Sequence, residues 1–207
     1  MTITPKQYAY HERAVRNAVF NVKTTHAGIG WLVQPFGQGT FDEDVRKALR
    51  NRESAARHLP DLLLTHAATG HTCFVECKTE STRNLTSGNF SIERRSLLTC
   101  LQLNQSTPTV VVFADMRCVS VTEIVDLFRR QEEATELTST KGIRISIARG
   151  DDIRLGPETT FGSNDPYYLI RRDALPNRTI AEYLDELISD ETIYGREVID
   201  DPFRWCL

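Results

Sequence analysis

The chain has 207 residues, 40% hydrophobic and 26% charged, enough apolar material for one sizeable core or for one core with a small appendage. No stretch is apolar for as long as a membrane helix requires, and the start MTITPKQYAYHERAVRN lacks the basic-then-apolar order of a secretory signal, so a soluble cytoplasmic protein with no membrane partner is expected. The formal net charge of −3 excludes a generally basic nucleic-acid binder, yet residues 1–100 carry 13 Lys+Arg against 9 Asp+Glu and the remainder 12 against 19, which places any polyanion on the N-terminal half.

Thr4-Pro5 suits a helix start, and Tyr8, Val15, Val19 and Val22 recur at helical spacing, predicting a helix from about 5 to 23. GIGWLVQP (28–35) reads as a short strand stopped by Pro35. Residues 42–58 are charged and helix-compatible, with a thin apolar stripe of Val45, Leu49 and Ala56, and they form the heart of an insertion at about 37–58. Leu62 to Thr65 and Thr72 to Lys78 are two strands of a hairpin, followed by a polar loop from Thr79 to Asn89. Ser91 is expected to cap a helix carrying Leu97, Leu98 and Leu101, and TVVVFA (109–114) is a buried strand. Ser120 with Glu123 and Thr179 with Glu182 form capping boxes, each opening an amphipathic helix, while GIRISIA (142–148) and YYLI (167–170) read as strands. The order predicts an α/β domain with a mixed sheet.

The five cysteines (Cys73, Cys77, Cys100, Cys118, Cys206) include no C-x-x-C pair and mostly fall in apolar runs, so reduced, buried thiols are expected. The histidines lack metal-ligand spacing, and no serine has a visible base partner.

The hairpin carries the chemistry. Along the second strand Phe74, Glu76 and Lys78 share one face while Cys73, Val75 and Cys77 share the other, apolar, face. With the turn centred between Ala68 and Thr69, antiparallel pairing sets Asp61 across from Glu76. Two opposed carboxylates destabilise a sheet or share a proton unless a cation lies between them. Mg²⁺ takes one or two carboxylates with carbonyl, water and phosphate oxygens, so Asp61, Glu76 and the Cys77 backbone carbonyl suit it, and Lys78 points at whatever binds the ion. This constellation suits metal-assisted hydrolysis of a phosphodiester. Glu12, within the apolar stripe of the first helix, is an accessory ligand, although His11 and Arg16 are alternative neighbours for it. The bland alternatives are a Pro-Asp turn at Pro60-Asp61 and a solvated edge strand for Glu76 and Lys78.

Pro60-Asp61, fourteen intervening residues and Glu76-Cys77-Lys78 resemble the signature of the PD-(D/E)XK nuclease superfamily, and Glu12 is similar to the helix carboxylate of many members, including archaeal-type Holliday junction resolvases. The resemblance covers roughly residues 1–115 and implies a restriction-endonuclease-like core of helix, three strands, helix and strand; residues 116–207 fall outside it and read as a C-terminal α/β extension packed on the same domain. It implies a Mg²⁺- or Mn²⁺-dependent DNA endonuclease, either structure-selective in repair and recombination or sequence-specific as in homing and restriction. Asp61, Glu76, Lys78 and Glu12 would then be catalytic, and Asp61, Glu76, Glu12 and the Cys77 carbonyl the metal ligands. Arg46, Lys47, Arg50, Arg52, Arg57, Arg94 and Arg95 are candidate DNA contacts, and a homodimer is expected for a symmetric two-strand cut, with the helix from Thr179 to Ser189 either its interface or part of the core. The alternative is a catalytically inactive nuclease-like domain that binds nucleic acid or a protein partner.

Overall fold

The computed structural model describes residues 5–21, 30–41, 43–50, 55–79, 88–140, 153–155 and 167–189. The expected strand at 142–148, Arg52, Cys206 and most of the polar loop after the hairpin lie outside them.

A first helix, α1 (Pro5–Phe20), leads to strand β1 (Trp31–Pro35). The charged insertion forms a 3-10 turn (Gly37–Thr40), a short helix α2 (Glu43–Arg50) and a second 3-10 turn (Ala55–His58), in place of one helix over 42–58. The hairpin strands β2 (Leu62–His66) and β3 (Thr72–Lys78) follow, joined by a turn in which Gly70 takes φ +72°. Strand β4 (Asn89–Glu93) runs directly into helix α3 (Arg94–Asn104), which leads to strand β5 (Thr109–Phe113). Beyond these come β6 (Cys118–Ser120), the long helix α4 (Val121–Thr140), β7 (Ile153–Leu155), β8 (Tyr167–Arg171) and α5 (Ile180–Ser189).

The main sheet has the order β1-β2-β3-β5-β6. β1, β2 and β3 form an antiparallel meander, β5 lies parallel to β3 after the crossover through α3, and β6 returns antiparallel to β5. The protein is thus α/β with a mixed sheet. A second, antiparallel sheet has the order β4-β8-β7.

Apolar side chains cover both faces of the main sheet. On one face Val15 and Val19 of α1 and Ile180, Tyr183, Leu184 and Leu187 of α5 pack over Leu62, Leu64, Cys73, Val75 and Cys77. On the other, Leu97, Cys100 and Leu101 of α3 and Ile124, Val125 and Leu127 of α4 pack over Val111 and Phe113, closed by Phe90, Ile92, Ile153 and Ile170 of the second sheet. An inner parallel pair requires this double cover, and β5 is buried at all five positions.

One expectation changes and two open alternatives are resolved. Ser91 does not cap a helix: it lies inside β4, and Glu93 occupies the N-cap position of α3 without a side-chain cap bond. Asn-Phe-Ser-Ile-Glu alternates, Phe90 and Ile92 are fully buried, and the partner strand β8 lies far along the chain, so a distant pairing overrode the local cap signal. The apolar stripe of α5 is spent inside the chain against α1 and the sheet, which removes that helix as the surface for the expected homodimer. Glu76 is only 5% exposed, so it stands on no solvated edge. Both capping boxes form, Ser120 N–H donating to Glu123 at 2.7 Å and Thr179 N–H to Glu182 at 2.7 Å. Cys73, Cys77, Cys100 and Cys118 are buried thiols that form no disulfide.

Candidate active site

Hairpin register positions the first carboxylate. Leu62 pairs with Val75, Leu63 with Phe74, Leu64 with Cys73 and Thr65 with Thr72, and one step outward that register sets Asp61 opposite Glu76. Asp61 lies just before β2, and its backbone N–H donates to the Val75 carbonyl at 3.0 Å. In return the Cys77 N–H donates to Asp61 Oδ2 at 2.8 Å. The insertion supports it from the far side. Phe36 N–H donates to the Asp61 carbonyl at 2.6 Å, and Gly37, at φ +58°, sits against the Leu59 and Pro60 carbonyls so closely that a Cβ there would fall 2.7 Å from the Leu59 oxygen.

Lys78 and Glu76 form an ion pair on the α3 face of β3, and Lys78 Nζ donates to Ser96 Oγ at 3.3 Å. Glu76 uses one carboxylate oxygen for Lys78, while Oε2 is buried with no hydrogen-bond partner. A bare, desolvated carboxylate oxygen is costly and is met in proteins mainly where an ion or water belongs. Burial, followed by the neighbouring Glu76 charge, holds the Asp61 carboxyl well above the ordinary carboxylate range, with Glu12 adding to the rise. Burial raises Glu76 too, opposed by Lys78. Burial works to lower Lys78, but the carboxylates of Glu76 and Glu93 outweigh it and hold the amine above its ordinary value. The pair of acids is thus short of positive charge even with Lys78 present. Burial and the same acids push the Cys77 thiol well up, which leaves it a neutral packing group and no nucleophile.

Glu12 is half-buried on α1 and ion-paired with Arg16 one turn on, so the alternative neighbour holds it, although its charge reaches Asp61. His11, not Glu12, is the polar residue that α1 turns to the sheet, its Nε2 lying 3.1 Å from the Val112 carbonyl oxygen. Among the candidate DNA contacts, Arg57 lies 3.8 Å from Glu93, Arg94 is half-buried with its Nε unsatisfied, and Arg95 is half-buried. The side chains of Arg46, Lys47 and Arg50, like all of Arg52, lie outside the described residues.

Two residues join the site that sequence reasoning missed. Glu93 faces Glu76 and Lys78 and gathers Arg57 and His58, each at 3.8 Å, tying the insertion to the site. Ser96, only 2% exposed, holds the Lys78 ammonium. The alternation of NFSIE was a signal for Glu93; Ser96 had none, because it depends on a helix crossing over β3.

The described residues hold no group of three His, Cys, Asp or Glu side chains placed around a common ion. A hard divalent cation does not require one, since two carboxylates with carbonyl and water oxygens suffice, and the unsatisfied Glu76 Oε2 beside the elevated Asp61 carboxyl fits such an ion. Among the described residues, no helix is long and apolar enough to cross a membrane. No protein-family model, no curated protein and no solved structure matches the chain.

Proposed function

We propose that the chain is a Mg²⁺- or Mn²⁺-dependent DNA endonuclease of the PD-(D/E)XK type. The observation that carries the reading is the Asp61–Glu76 pair: a half-buried carboxylate just before β2 set opposite a buried one on β3, the second with an unsatisfied oxygen, and the Lys78 ammonium bonded to the helix behind. The succession of α1, the β1-β2-β3 meander, α3 and a β5 parallel to β3 also supports it, being the restriction-endonuclease-like order that the resemblance implies.

A bound divalent ion supplies charge stabilisation at the scissile phosphate and a more acidic water. Asp61, Glu76 and the Cys77 carbonyl hold it; Glu12 is left an outer role by its pairing with Arg16. Lys78, kept protonated by Glu76 and Glu93, positions the attacking water and offsets charge gathering on the phosphate instead of removing a proton. Ser96 and Glu93 keep the ammonium in place on the site side of β3.

Supercoiled and branched DNA incubated with and without Mg²⁺ tests the reading. Asp61→Ala, Glu76→Ala and Lys78→Ala should each abolish metal-dependent nicking, and cleavage retained in all three sinks it. Structure-selective and sequence-specific cutting both fit, and a panel of linear, flapped, four-way and random-sequence DNA separates them.

A second reading is a nuclease-like domain that binds nucleic acid or protein without cutting. It is favoured by the closed Glu76–Lys78 pair, which engages one of the two ligand carboxylates. Its signature is DNA binding with no product at any Mg²⁺ concentration.

A further inference from the structure

We propose that Arg117 and Arg172 form a second anion site, beside the hairpin carboxylates, that grips a backbone phosphate of the nucleic acid flanking the scissile one. The inference rests on the nuclease reading above and adds to it a part of the substrate-binding surface. Phe90 and Phe113 stack face to face, with ring centroids 4.1 Å apart and planes 8° from parallel. The Arg117 and Arg172 guanidinium carbons lie 5.2 Å and 4.6 Å from the Phe90 centroid. Because Phe113 covers one face of that ring, the two cations share the other side. Guanidiniums gathered on one aromatic ring repel each other, and a planar donor fork of this kind suits phosphate.

The pair is built into the fold and not left on a mobile surface. Met116 takes φ 68°, a left-handed conformation that a non-glycine side chain rarely adopts, and closes the turn from β5 to β6 through its N–H to the Phe113 carbonyl at 2.8 Å. That turn aims Arg117 at the residues after β8, where it donates through Nη1 to the Arg172 carbonyl. The Arg117 side chain remains 17% exposed and its Nε is buried without a hydrogen-bond partner; Asp115 accepts from the Arg117 backbone N–H at 3.1 Å and lies 3.8 Å from the guanidinium. The site also lies on the correct side of the sheet. Lys78 is the register partner of Phe113, so one strand spacing and one ring stack separate the ammonium from the two guanidiniums. Arg178 is the control within the same region: its guanidinium lies over Tyr183 and pairs with Glu123 at 2.8 Å and Glu186 at 2.6 Å.

Dissociation constants for a short labelled DNA duplex, measured over a range of KCl in Ca²⁺ buffer, test the proposal. Arg117→Gln and Arg172→Gln should each weaken binding several-fold regardless of sequence and reduce the slope of log K against log salt by about 1. Arg117→Lys, which keeps the charge but loses the bond to the Arg172 carbonyl, should keep the slope, and Arg178→Gln should leave it unchanged. Slopes equal to wild type in both glutamine variants overturn the proposal, as does a slope lost in Arg117→Lys, which would assign Arg117 to the fold alone. A wild-type chain that binds the duplex with unaltered glutamine-variant slopes overturns this site while leaving the nuclease reading standing. A chain that binds no DNA overturns both.

Discussion

The Cys77 amide donates to Asp61 Oδ2 at 2.8 Å, which pins the first carboxylate to the strand that carries the second. Burial, and after it the neighbouring Glu76 charge, holds the Asp61 pKa there well above the ordinary carboxylate range. For such a group the folded state binds the proton more tightly than the unfolded state, so stability falls as pH rises from about 4 through the folded pKa and stays reduced above it.

Asp61→Asn keeps an oxygen for the Cys77 amide and removes the charge. It should raise the metal-free melting temperature at neutral pH by about 2–4 °C, equivalent to roughly 1 kcal/mol in a chain of this size. Addition of Mg²⁺ should raise the melting temperature of wild type and leave this variant unmoved. Differential scanning calorimetry with EDTA and with Mg²⁺ checks both; a variant less stable than wild type in EDTA would assign Asp61 a structural role.

Lys78→Ala should act in the opposite direction. Lys78 pairs with Glu76, feels the charge of Glu93 and donates to Ser96, and its removal leaves the buried Glu76 without its cation. Breaking a buried pair in this way costs about 3–5 kcal/mol. Urea denaturation should show that loss in EDTA and a partial recovery in Mg²⁺, because the ion takes over the charge that Lys78 supplied.

The hairpin was legible because its determinants are local: a period-2 alternation and one turn fix the facing of Asp61, Glu76 and Lys78. The inner position of β3 followed from the helix and buried strand that come after it. What stayed hidden depends on distant partners. β4 exists through β8, Glu93 enters the site through β4, and the stripe of α5 finds its cover on α1, more than 160 residues earlier. No local pattern distinguishes such a stripe from a dimer surface. Glu12 illustrates the same limit at short range, since the sequence offered it the metal site, His11 or Arg16, and the structure pairs it with Arg16 one turn on.

Gly37→Ala tests how the insertion supports the site. The new methyl would meet the Leu59 and Pro60 carbonyls, at a φ of +58° that alanine tolerates poorly. These are backbone atoms and cannot swing aside, so a loss of roughly 2–4 kcal/mol is expected. Because Phe36 bonds the Asp61 carbonyl next door, nicking per folded molecule should fall as well. Full activity in a destabilised Gly37→Ala would show that the insertion does not set the position of Asp61.

His11 supplies a pH dependence of opposite sign to Asp61. It is 5% exposed, and burial lowers its pKa below the ordinary histidine value against smaller upward effects of the Val112 carbonyl and Asp115. A histidine whose folded pKa lies below its unfolded value leaves stability intact above about pH 6.5 and loses it as pH falls from there toward the folded pKa, because the unfolded chain takes up the proton first. The neutral ring would donate its Nε2 proton to Val112 O at 3.1 Å, a bond that the amide of Gln can replace without titrating. In the Asp61→Asn background, where the larger opposing carboxyl is silent and Glu76 is common to both variants, His11→Gln should reduce the loss of stability on acidification below about pH 6.5. Chemical denaturation at a series of pH values measures the slope; an unchanged slope in the double variant would place the proton uptake on another group.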